Sequence, residues 1–143
     1  MAGERGSVMV AANMAGRGVE IKTGEGIDEI GGMHVIGVER DTLSRLDRQL
    51  AGRTGRRGQA GSVRFFTCTE DEVMRALSKR ELSRMRRMIP DNDSAMPARK
   101  IEEYIKRAQA RYSAEYSRVR KQLLLRDLSQ EEGDKILFGQ DKL

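Results

Sequence analysis

Gln49-Leu50-Ala51-Gly52-Arg53-Thr54-Gly55-Arg56-Arg57-Gly58 is the stretch on which the fold turns. It completes a run in which Leu43, Leu46 and Leu50 recur at helical spacing, which predicts a helix over 42–52 ending in a glycine-punctuated loop. Short apolar runs flank it, His34–Val38 on one side and Val63–Cys68 on the other, each of strand length. Strand, helix and strand at this separation predict a βαβ unit, because two parallel strands need a crossover about as long as a helix. A further apolar run, Ser7–Ala12, predicts another buried strand. The first half of the chain therefore reads as α/β, a parallel sheet of few strands.

The same stretch carries the chemistry. Arg53 and Arg56 present planar, permanently charged forks that match phosphate oxygens two bonds at a time. Gly52, Gly55 and Gly58 leave no side-chain bulk around them, so the guanidinium groups can approach a ligand closely. The combination suits contact with the polyphosphate of a nucleotide. The cradle for that polyphosphate is another matter, because no G-x-x-x-x-G-K-[ST] motif occurs in the 143 residues. A solvated basic helix end, its Arg favoured by the helix dipole, is the plainer alternative.

Composition narrows the classes. Charged residues make up 34%, the net charge is +5 and the pI is about 9.7. That balance fits an Arg-rich soluble surface, a nucleic-acid footprint or an anionic membrane surface. Aromatic residues are scarce at 4%, which argues against a dedicated single-strand nucleic-acid binder. One cysteine, Cys68, excludes an internal disulfide framework and a Cys-based zinc site, and suits a reducing compartment. No run approaches the 18 or so apolar residues of a membrane span, and no signal-peptide pattern opens the chain. The expectation is a cytoplasmic protein that can still dock on a membrane.

Glycine divides the chain: thirteen of its 15 glycines lie in 1–61 and none in 62–132. The second part should be helical. Thr69-Glu70-Asp71-Glu72 could pass for a magnesium-binding acidic pair, but Thr69 with Glu72 matches a capping box, so a helix over 70–89 is expected. Gly24-Glu25-Gly26 is read as a turn. His34 has no second ligand candidate and reads as a structural histidine, Cys68 as a small buried strand residue. Arg75–Arg87 carries six positive charges against Glu81, a solvated helix face or a contact for lipid headgroups or nucleic acid. Pro90 and Pro97 bracket a polar loop. Beyond it Ile101, Ile105, Ala108, Tyr112, Val119 and Leu123 form one stripe of a helix over 98–128, a rod of roughly 45 Å. Ser129 and Glu132 suggest a new cap and a short last helix.

Four segments resemble one family. Ala12-Asn13-Met14-Ala15-Gly16-Arg17-Gly18-Val19-Glu20-Ile21 is similar to the A-T-N-M-A-G-R-G-T-D-I of SecA, the bacterial preprotein translocase ATPase. Gly31-Gly32-Met33-His34-Val35-Ile36-Gly37-Val38-Glu39-Arg40 resembles its G-G-L-H-V-I-G-T-E-R, and Leu46–Gly58 its I-D-N-Q-L-R-G-R-S-G-R-Q-G. Val119-Arg120-Lys121-Gln122-Leu123-Leu124 resembles the I-R-K-Q-L-L of the SecA helical scaffold. The match holds one register over roughly residues 3–128. Q-x-x-G-R-x-G-R is shared with many helicases, whereas N-M-A-G-R-G together with R-K-Q-L-L is specific to SecA.

The resemblance implies a partial RecA-like motor followed by a helical arm: 1–75 from the second motor domain, 76–97 a helical connection and loop, 98–143 scaffold-like helix and tail. It implies that nucleotide, ATP or ADP, sits between two motors, with phosphate loop, magnesium ion and general base supplied by the other one. Arg53 and Arg56 then match the sixth-motif arginines and act in trans as arginine fingers. Gln49 matches the coupling Gln of that motif, and Gly16, Arg17, Gly18 and Glu20 the nucleotide-contacting turn of the fifth. Val19-Glu20 departs from the family's Thr-Asp, losing a hydroxyl and lengthening the carboxylate arm by a methylene. Past Leu124 the family's Asp-Asp-Val gives way to Leu125-Arg126-Asp127-Leu128.

The implied partners are a motor domain carrying the phosphate loop, a translocon and a preprotein, with an anionic membrane surface as a further possibility. The chain is expected to hydrolyse no ATP alone and to self-associate through its sheet edge or long helix. A standalone subunit and an excised fragment both fit. The trailing half of an RNA or DNA helicase, and a non-catalytic interaction module, are the rival readings.

Overall fold

The computed structural model describes residues 3–12, 21–89 and 98–138. Two strands, β1 (Met33–Gly37) and β2 (Gly61–Phe65), pair in parallel, with Met33 opposite Gly61 and Gly37 opposite Phe65. Helix α1 (Ser44–Ala51) joins them, so the expected βαβ unit is present. Its placement follows from the leucines: Leu46 and Leu50 turn inward, while Ser44, Arg45, Arg48 and Gln49 stay exposed. The result is a partial P-loop NTPase-like α/β fold. Parallel sheets are ordinarily covered on both faces. Here Ile36, Val38 and Val63 are 56%, 82% and 41% exposed, so this pair is not the centre of the core.

The core lies in the helical layer instead. Val73, Met74, Leu77, Met85, Ile105 and Ala108 form one buried cluster, with Leu82, Met88 and Ile101 packed against it. It is built by a 3-10 turn over Glu72–Ala76, by α2 (Lys79–Met88) and by the first half of α3 (Ala98–Phe138). Burying six such side chains contributes on the order of 10 kcal/mol before entropy is subtracted. This cluster is the main apolar reason the chain holds together.

Five local expectations are corrected. Ser7–Ala12 forms no strand, and Val8 and Val10 are almost fully exposed. An apolar run becomes a strand only where a neighbouring edge receives it. Residues 70–89 are not one helix: Leu77 is extended (φ −81°, ψ 143°), which drops its side chain into the core and forces a fresh start.

That fresh start carries its own capping box, Ser78 with Glu81. The Ser78 Oγ accepts from Glu81 N at 3.3 Å, and the Glu81 carboxylate accepts from Ser78 N at 2.8 Å. Thr69 caps nothing; Asp71 accepts from Cys68 N instead, at 2.8 Å. Cys68 is exposed rather than buried, because β2 ends at Phe65. Finally, α3 does not restart at Ser129, whose hydroxyl donates back to Arg126 O at 2.7 Å while the helix runs on to Phe138.

Helix α3 spans 41 residues, about 60 Å. Only its first part is held. Arg111 donates to Ala76 O and bidentately to Glu81 at 2.8 and 2.9 Å, and Tyr112 donates to Glu72 O at 3.1 Å. Farther along, Tyr116, Val119, Leu123, Leu124, Leu125 and Leu128 are exposed. The stripe expected from the sequence is thus buried in its first half and open in its second.

Candidate nucleotide-contacting site

The loop that closes α1 is built backwards onto its own helix and onto β1. Gly52 N donates to Arg48 O at 2.8 Å and Arg53 N to Leu50 O at 3.0 Å, which ends the helix. Thr54 Oγ1 donates to Met33 O, tying the loop to the start of β1, and Arg56 Nε donates to Gly52 O. Gly55 is left-handed at φ 64°, a conformation that costs glycine nothing. Arg57 is also left-handed, at φ 53° and ψ 32°, the only non-glycine residue with positive φ among the described residues. For a residue with a Cβ this costs about 1–2 kcal/mol, and such strain concentrates where function demands a particular backbone.

A cavity of about 230 Å³ opens against this loop. Arg53, Arg56, Arg57, Lys22 and Thr23 are among the residues that line it. Among the described residues its wall carries four cationic side chains and no Asp or Glu. Such a donor set can hold several phosphate oxygens and offers no carboxylate, among the described residues, to a magnesium ion. No cluster of three metal-ligating side chains occurs among the described residues.

The expected site residues divide three ways. Arg53 and Arg56 are brought together in one cavity. Gln49 sits one turn earlier on the exposed face of α1 and does not line it. Gly16, Arg17, Gly18 and Glu20 lie outside the described residues. Lys22, Thr23 and Arg57 were not anticipated; their signal was only proximity in sequence to the expected groups. His34 is satisfied, its Nδ1 lying 2.6 Å from Ser62 Oγ across the strand pair.

Behind α1 lies a polar junction that sequence reasoning missed. Asp47 is buried in the middle of the helix. Its carboxylate accepts from Asp41 N at 2.8 Å, from Arg40 at 3.2 Å and from Gln109 of α3 at 2.8 Å. Gln109, also buried, donates a second bond to Asp41 O at 2.8 Å. Arg40 reaches on to Glu102 of α3 at 2.7 Å and lies 4.0 Å over the Phe65 ring of β2. One carboxylate therefore fixes α1 to the end of β1, to β2 through Arg40, and to the long helix. Two residues after Asp47 comes Gln49, and six after it Arg53.

A parallel βαβ unit whose crossover helix ends in an arginine-lined cavity defines the class: part of a P-loop NTPase-type domain. The family model described as the SecA P-loop domain matches residues 22–93. The chain is 40% identical to the protein translocase subunit SecA of Halothermothrix orenii over 98% of its own length and 18% of that protein's. It is 42% identical to the SecA subunit of Nitratidesulfovibrio vulgaris over 87% of its length and 15% of that protein's. The Syntrophobacter fumaroxidans subunit is 39% identical over 98% of this chain and 17% of the relative. The chain belongs to the SecA family, and it spans less than a fifth of the length of these relatives. Among the described residues no helix is long and apolar enough to cross a membrane.

Proposed function

We propose that this chain supplies the arginine half of a protein-translocation ATPase, contacting in trans a nucleotide held by a separate motor domain. The observation that carries the reading is the cavity in which Arg53 and Arg56 converge with Lys22 and Arg57. ATP or ADP is the ligand whose polyphosphate this donor set fits, and magnesium comes with the partner's phosphate loop and carboxylates. Arg53 and Arg56 then neutralise charge developing on the transferred phosphoryl group, a contribution of about 10³–10⁵ in rate for arginine fingers. Gln49 couples the two motors from the helix behind them, and Gly16, Arg17, Gly18 and Glu20 complete the nucleotide contact.

In this reading residues 1–75 belong to the motor, 76–97 connect it, and 98–143 are the scaffold arm. The partners are the phosphate-loop motor, the translocon and the preprotein, on the cytoplasmic side of the inner membrane with peripheral contact to its anionic surface. The relatives named above are translocase subunits, which favours this reading over a helicase.

The test mixes the chain with a SecA-type first motor and magnesium-ATP. Hydrolysis should be absent for the chain alone and stimulated in the mixture. Arg53→Ala and Arg56→Ala should each remove most of the stimulation. Stimulation at the wild-type level by both variants would refute the assignment.

A further inference from the structure

A second arginine cluster, sharing no lining residue with the loop cavity, lies where α1 meets α3. A cleft of about 220 Å³ is lined there by Arg45 and Arg48 of α1 and by Ser113, Tyr116, Ser117 and Arg120 of α3. The spacing explains the convergence. Positions 45 and 48 share one face of α1, and 113, 116, 117 and 120 share one face of α3. We propose that this cleft binds a phosphate group and is a site separate from the arginine loop.

Three observations support it. The cleft's wall holds three guanidinium groups and no carboxylate. None of the three makes a hydrogen bond or ion pair with a described residue, whereas Arg40, Arg111 and Arg118 are each paired to a Glu or Asp. Three like charges facing one small cleft repel one another, and an anion between them reverses the sign of that energy. The groups alongside are of the right kind as well. The hydroxyls of Ser113 and Ser117 can donate to oxygens the guanidinium forks leave uncovered. Tyr116, stacked on Tyr112 at 6.3 Å between centroids, gives the cleft a firm apolar side. Guanidinium with hydroxyl donors in this number matches a phosphate better than a single carboxylate, which has only two oxygens to offer. The volume accepts inorganic phosphate, pyrophosphate or the headgroup of an anionic lipid.

The experiment is calorimetric titration of the full chain carrying Lys22→Ala, Arg53→Ala, Arg56→Ala and Arg57→Ala, so that the loop cavity keeps no cationic side chain. Pyrophosphate is one titrant. Phosphatidylglycerol vesicles, with phosphatidylcholine vesicles as the uncharged control, are the other. Arg48→Gln and Arg120→Gln are exposed changes, and circular dichroism checks that the helices survive. Saturable binding of pyrophosphate, weakened roughly tenfold or more by either change, is the expected result. Binding only to phosphatidylglycerol vesicles with the same dependence on Arg48 and Arg120 also supports the site and names its source as a headgroup. Absence of binding in both arms, or binding that both variants leave unchanged, overturns the proposal. Neither result bears on whether Arg53 and Arg56 act as fingers.

Discussion

Replacing Gln109 by Leu should loosen the arginine loop from a distance. The side chain is 5% exposed and donates two bonds of 2.8 Å, one to Asp41 O and one to the Asp47 carboxylate. A buried bond to a charged acceptor is worth about 1.5–3 kcal/mol and a neutral one about 0.5–1.5, so Gln109→Leu should cost about 2–4 kcal/mol. Leucine fills nearly the same space, so little of this is a cavity effect. With a urea dependence of about 1–3 kcal/mol per molar, the unfolding midpoint should fall by roughly 1–2 M.

Gln109→Glu should cost more at neutral pH, because it sets one carboxylate against another. The decisive assay is amide hydrogen exchange. If Asp47 fixes α1, protection over 44–53 should fall together with that of α3. A midpoint shift below about 0.3 M urea, or exchange that rises in α3 alone, would refute the junction's role.

Other outcomes follow from the same geometry. The bidentate bond from Arg111, with help from Ser78, holds the Glu81 carboxyl down to about 2. Its stabilisation is therefore complete above the ordinary carboxylate range and fades as pH falls from about 4.5 towards 2. Arg111→Met should flatten that acid limb in denaturation curves taken across pH; an unchanged slope would count against the pair. Arg57→Gly should leave stability equal or raise it by up to about 1 kcal/mol, since glycine accepts φ 53° freely, whereas Arg57→Ile should lower it, as thermal melts would show. The open apolar half of α3 should make the chain self-associate. Light scattering over a concentration series should then show a rising mass that Leu124→Glu with Leu128→Glu suppresses, and a strictly monomeric wild type would refute this.

What the sequence disclosed were local periodicities. Leu43, Leu46 and Leu50, set between two apolar runs, are enough for a parallel βαβ unit. The stripe from Ile101 to Tyr112 is enough for the anchored half of α3. The capping boxes were less decisive, because Thr69–Glu72 and Ser78–Glu81 are the same pattern twice. The second wins because an extended Leu77 reaches the core just before it. Ser7–Ala12 failed for a related reason, since a short apolar run says nothing of the neighbouring edge a strand needs. The Asp47 junction had no local signature. Its members are 62 residues apart, and each alone looks like an ordinary charged or amide side chain.

Helix α3 is fastened to the rest of the chain by two kinds of contact with different mechanical character. Against residues 72–88 it buries apolar side chains, and such contact is proportional to area and tolerant of small sliding. Against α1 and the residues just before it, α3 relies on polar contacts, from Gln109 to Asp47 and to Asp41 O and from Arg40 to Glu102, which weaken steeply once their angles are lost. Arg40 Nε is buried and has no hydrogen-bond partner among the described residues. A displacement of α3 that the apolar cluster absorbs would thus break the polar junction first. The first structure to lose its fixed position would then be the helix whose end carries Arg53 and Arg56. The two contacts divide the work: the apolar cluster keeps the helical layer together, and the Gln109–Asp47 bond links the long helix to the helix whose end carries Arg53 and Arg56.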